Sequence, residues 1–179
     1  MAATRAAMTV GGVMLALVVS GCGFHPLYGD TGATAETAEK LAAIYVDPIP
    51  DNKLGYELRN ELIDLFDASG DPSKDIYRLR VTLNTKSEGV AIQNDAAITR
   101  YNDTLTVSYS LTDAKGQVIT KGIETGLSAY NVVTSPYATQ TAQQSADKNA
   151  AIDIAYRIRT DLAVYFAQTA GPRPRPPKK

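Results

Sequence analysis

The sequence predicts an α+β fold: one four-stranded, mostly antiparallel sheet with two helices packed on one face, in the order β-α-β-β-β-α. Three observations carry this. Apolar residues recur every three or four positions in two segments, near 53–68 and 137–167, which is the spacing of an amphipathic helix. Between them, apolar and polar residues alternate in runs within 75–133, the period of a half-buried strand. Clusters of Gly, Pro, Asp and Asn punctuate the chain between these runs.

Residues 41–47, LAAIYVD, read as a short buried strand closed by Pro48 and Pro50, with Asp51 or Asn52 placed to cap a helix. The first helix follows, with Leu54, Leu58, Leu62, Leu65 and Phe66 on its apolar stripe and Ser69, Gly70, Asp71 and Pro72 to end it. Along 75–92, Tyr77, Leu79, Val81 and Leu83 occupy one face and Arg78, Arg80, Thr82 and Asn84 the other, with Gly89 placed to bulge the strand. Asn94, Asp95 and Ala96 turn the chain into a second run, where Leu105, Val107, Tyr109 and Leu111 oppose Thr104, Thr106, Ser108 and Ser110. Asp113, Ala114, Lys115 and Gly116 are hairpin chemistry, and 117–133 supplies a third, more weakly alternating strand of an antiparallel meander. In the last helix Ala151, Ile154, Ala155, Ile158, Leu162, Tyr165 and Phe166 share a face, opposite Asp153, Arg157, Thr160 and Val164.

The ends carry different information. Arg5 followed by an uncharged apolar stretch from Met8 to Val19 has the layout of a secretory signal and is too short for a convincing membrane span. It runs into Val19, Ser20, Gly21, Cys22, which resembles the lipobox of bacterial lipoproteins, with cleavage before Cys22 and lipid on its thiol. Gly23 after the cysteine favours the outer membrane, on its periplasmic side. The expected organisation is a signal peptide over 1–21, lipid anchor and flexible tether over 22–40, one folded domain over 41–168, and a disordered basic proline-rich tail over 169–179.

Cys22 is the single cysteine, so neither an intramolecular disulfide nor a thiolate metal cluster is available. With 18 Lys and Arg against 19 Asp and Glu, no global field attracts nucleic acid. His25 is the only histidine and lies three residues from the anchor, the place of an exposed linker residue. No Walker loop, GxSxG elbow or HExxH motif occurs, so no enzyme, cofactor or metal site is expected. Asp64, Asp67, Asp147 and Asp153 are read as surface charge on solvated helix faces. Two features stay open between a binding role and an ordinary sheet surface: the strip Arg78, Arg80, Lys86, and Arg100 beside Tyr101 and Tyr109.

The opening of the mature chain, Cys22 to Gly29, reads CGFHPLYG and resembles the start of LptE proteins, the lipopolysaccharide-assembly lipoproteins. Ile44, Val46, Pro48 and Ile49, then Gly55, Leu58, Arg59, Asn60 and Leu62, are similar to that family's first strand and first helix. The resemblance implies a four-stranded sheet with two helices on one face and no enzymatic activity. It further implies a plug inside the lumen of the LptD β-barrel that supports the barrel's assembly and the delivery of lipopolysaccharide to the outer leaflet. Family contacts to lipopolysaccharide through basic side chains, at one end of the sheet and at the start of the last helix, have no Lys or Arg counterpart around Gln93 or over 139–144. Lys86 and Arg100 are the substitutes by position. The competing expectation is a periplasm-facing lipoprotein subunit of another envelope-maintenance or lipid-transport complex.

Overall fold

The computed structural model describes residues 32–50, 53–68, 76–92 and 98–169. The element order is α1 (Gly32–Ala42), β1 (Ile44–Val46), α2 (Lys53–Phe66), β2 (Tyr77–Ile92), β3 (Ile98–Thr112), β4 (Val118–Asn131) and α3 (Pro136–Thr169). The strands lie side by side in chain order, β1 parallel to β2 and the rest antiparallel. This is the α+β architecture read from the sequence, with one helix more.

That helix is α1, where the sequence reading placed a flexible tether and the start of a strand. Its sequence, GATAETAEKLA, has no apolar stripe, but it is rich in alanine, the strongest helix former, and Glu36 pairs with Lys40 one turn on at 2.8 Å. Leu41 is buried in the common core, and the Lys40 ammonium lies 6.0 Å from the centre of the Phe166 ring of α3. The first strand consequently begins at Ile44 instead of Leu41.

The core forms between one face of the sheet and the helices. Leu58 and Leu62 of α2, Ile154 and Ile158 of α3, and Leu79, Leu105, Val107 and Leu111 of the sheet are all less than 2% exposed. Each such side chain contributes on the order of 1.5–3 kcal/mol of burial. Arg59 of α2 donates from Nε to the Val46 carbonyl at 3.1 Å, joining the end of β1 to the helix that follows it. At the end of α2 Asp67 takes the left-handed conformation, φ 54°, and Ala68 donates its backbone N–H to the Ile63 carbonyl at 3.1 Å.

The hairpin turn over Asp113–Gly116 behaves as the sequence predicts. The Asp113 carboxylate accepts the backbone N–H groups of Lys115 and Gln117, both at 2.9 Å, and Gly116 takes the φ of +77° that the hairpin needs. In β2 the register slips between Gly89 and Ala91, so Val90 is the additional residue of a bulge beside the glycine. Helix α3 starts with Pro136 in its first position and Ser135 before it, whose hydroxyl accepts the Ala138 N–H at 3.4 Å.

Cys22, His25, the CGFHPLYG opening, the turn residues Asn94–Ala96 and the basic tail lie outside the described residues. No helix of the described residues is long and apolar enough to cross a membrane.

Candidate functional site at the polar end of the sheet

The sheet has two unlike faces. On the face away from the helices, Thr104, Thr106, Ser108 and Ser110 of β3 run between Thr82, Asn84 and Lys86 of β2 and Lys121, Ile123 and Thr125 of β4. Among the described residues no helix covers this face, which is rich in hydroxyls, and its large apolar side chains, Ile123 and Leu127, sit on the edge strand.

Lys86 and Arg100 both project from this face, toward the end of the sheet where β2 gives way to β3. Lys86 pairs with Thr104, while Arg100 sits opposite Ala91 and Asn131, so the two occupy rows four β3 residues apart, about 13 Å along the strand. The Lys86 ammonium is 2.6 Å from Glu88 Oε1, and this hydrogen bond holds the lysine pKa above, and the glutamate pKa below, their ordinary values. Arg100 is exposed and makes no ion pair among the described residues. At the opposite end, Arg78 and Arg80 lie 3.3 and 3.7 Å from the Asp47 carboxylate, and Arg78 stacks over the Tyr45 ring at 5.3 Å. Each basic residue of the strip Arg78, Arg80, Lys86 therefore has an acidic neighbour, so the strip is a mixed-charge surface.

The helix-covered face changes character along its length. In the rows containing Leu79, Val81 and Leu83 the β2 and β3 positions are apolar or aromatic; past Leu105 the next row across the sheet is Ser87, Asp103, Ser128, followed by Gly89, Tyr101, Tyr130. Tyr101 and Tyr130 stack with ring centres 5.6 Å apart. Above the Asp103 row lies the first half of α3. Asp103 is fully buried, and Gln143 donates to its Oδ2 at 3.3 Å while Oδ1 has no partner. Asp147 is 9% exposed and accepts the Ser128 hydroxyl at 2.5 Å. Burial raises the Asp147 pKa above the ordinary carboxylate value; the Ser128 hydrogen bond opposes this, and the adjacent Asp103 adds to it. The Tyr130 hydroxyl is likewise pushed up, by burial first and then by the two carboxylates.

The surface assignment holds for Asp64, Asp67 and Asp153, which are exposed, and fails for Asp147. The signal was present in the sequence. Asp147 precedes Ala150, Ala151 and Ile154 by three, four and seven residues, in phase with the buried stripe, and Asp103 is in phase with Leu105, Val107 and Tyr109.

Among the described residues no group of three or more His, Cys, Asp or Glu side chains converges. A four-stranded sheet in this strand order, with helices on one face, also occurs in lipoproteins of known structure. Similar solved structures include a putative lipoprotein of Caulobacter crescentus, 27% identical, covering 75% of this chain and 98% of that one with a TM-score of 0.62. Two others share the fold: rare lipoprotein B of Shewanella oneidensis (14% identical, 68% and 93% of the two chains, TM-score 0.52) and a minor lipoprotein of Acinetobacter baumannii (19% identical, 69% and 92%, TM-score 0.53). In sequence the chain is 27% identical over 157 residues to an uncharacterised protein of Rickettsia prowazekii, covering 86% of this chain and 94% of that one. Residues 41–164 match the lipopolysaccharide-assembly family model. The chain belongs to the LptE family of lipopolysaccharide-assembly proteins.

Proposed function

We propose that this chain is an outer-membrane lipoprotein, held on the periplasmic side by lipid on Cys22, that plugs an LptD-type β-barrel, supports its assembly and aids delivery of lipopolysaccharide to the outer leaflet. Membership of the family supports the role in lipopolysaccharide assembly, and the lipobox-like run ending at Cys22 supports the anchor. The observation that carries it is the bare, hydroxyl-rich face of β2–β4. A protein enclosed by a barrel meets a polar lumen, and a row of Thr and Ser side chains exchanges hydrogen bonds with water for hydrogen bonds with such a wall at little cost. The role is structural and needs no catalysis.

Lys86 and Arg100 are the proposed contacts to lipid phosphate. Arg100, exposed and without an ion-pair partner among the described residues, is the stronger of the two; Lys86 has to leave Glu88 to bind. The experiment is depletion of the chain in its own cell. Loss of the folded barrel together with sensitivity to large hydrophobic antibiotics supports the proposal, and normal barrel levels with an intact permeability barrier refute it.

A further inference from the structure

The interior of the polar end contains two carboxylates that the plug role does not use. Asp103 on β3 and Asp147 on α3 face each other across the sheet–helix boundary, and neither makes an ion pair among the described residues. Burying one uncompensated carboxylate is expensive, and burying two side by side is more so. Around them the chain supplies oxygen: the Ser128 hydroxyl on β4 and the Gln143 amide on α3. The Asp103 oxygen without a partner belongs to a fully buried side chain. Beside the group opens a cavity of about 320 Å³, lined by Lys53, Glu57, Gln140, Gln143, Gln144 and Asp147. The nearest basic side chain on the cavity wall, Lys53, is engaged elsewhere, 3.4 Å from Gln144 and 3.8 Å from Glu57.

We propose that Asp103, Asp147, Ser128 and Gln143 form a site for a divalent cation of the calcium class, which ties the first half of α3 to β3 and β4. All the donors are hard oxygens, the set preferred by Ca²⁺ and Mg²⁺ over softer metals. Ca²⁺ fits better, because it accepts irregular geometry and leaves positions for water, which the adjoining cavity admits; Mg²⁺ demands a regular octahedron. The Gln143 amide has only to turn over to present oxygen instead of nitrogen. With two carboxylates the affinity belongs to the weak range, a dissociation constant of about 10⁻⁴ M. The inference does not depend on the barrel reading.

The test uses the full lipoprotein in detergent, with chelator and then with about 10 mM Ca²⁺ or Mg²⁺, roughly 100-fold above that constant. Melting temperature and tyrosine emission are followed together; the chain has no tryptophan to mask its ten tyrosines, and the Tyr101–Tyr130 stack beside the site contributes to that emission. Ca²⁺ should raise the melting temperature by about 5–10 °C and change the emission. Asp103→Asn should abolish both responses, Ser128→Ala should weaken the affinity about tenfold while keeping both carboxylates, and exposed Asp64→Asn should change nothing. The competing occupant is a proton shared by Asp103 and Asp147, in the presence of Tyr101, Tyr130, Lys53 and Glu57 as the other titratable groups around them. If wild type gains stability on acidification but shows no response to Ca²⁺, or if Asp103→Asn and wild type respond to Ca²⁺ equally, the cation site is refuted.

Discussion

Asp147 contributes to the pH dependence of the polar end. Its folded pKa is raised above the ordinary 3.8, chiefly by burial, so the folded state holds this proton more tightly than the unfolded chain. The stabilisation is complete below the unfolded value and is lost as pH rises through the raised folded value. In chelator, Asp147→Asn should therefore gain on the order of 1–2 kcal/mol relative to wild type near neutral pH, and the difference should shrink as pH falls toward 4. Urea unfolding of both proteins across that range measures it; a difference that stays constant with pH would show that burial of the charge is not the cause. Asp67 is the second telling residue. It closes α2 at φ 54°, a conformation glycine adopts freely, so Asp67→Gly should stabilise by about 1 kcal/mol, read as a higher urea midpoint at unchanged slope.

At the scale of elements, the close approach of α3 to β4 depends on Gly126. A Cβ there would stand 2.9 Å from Ile154 Cδ1 and 3.3 Å from the Ala150 carbonyl oxygen, so Gly126→Val must displace the buried Ile154 side chain and crowd the α3 backbone, and should cost roughly 1–3 kcal/mol. Loss of amide protection along α3 in hydrogen exchange would locate the damage. Helix α1 shows why part of the fold was hidden. Strands β2 and β3, helix α2 and the second half of α3 announce themselves by period, because each has a continuous apolar face, whereas β4 alternates weakly; α1 joins the core mainly through Leu41, and one residue makes no period. Leu41→Ala should cost about 2–5 kcal/mol if α1 docks as described, with protection over 35–42 falling first. The same reason accounts for the candidate site. Lys86 and Arg100 could be placed on one face by alternation, but their separation of four rows and the Lys86–Glu88 pair depend on register and rotamer. The carboxylates Asp103 and Asp147 were in phase with buried positions, yet only the packing of α3 over β3 and β4 brings them together from 44 residues apart.

For the whole molecule, the proposed function requires the bare sheet face to meet a barrel wall while the helices hold the sheet from behind. The division of labour follows from the sequence pattern: apolar residues at alternate positions of β2 and β3 face α2 and α3, and the intervening hydroxyls meet no other element among the described residues. Site-specific photocrosslinking tests this most directly. A photoreactive residue replacing Ser108, at the centre of the bare face, is introduced into the lipoprotein in living cells, with exposed Asp64 on α2 as a comparison position. Ser108 should capture a large outer-membrane β-barrel in a one-to-one adduct; no adduct from Ser108, or capture of a partner that is not a barrel, refutes the proposed function.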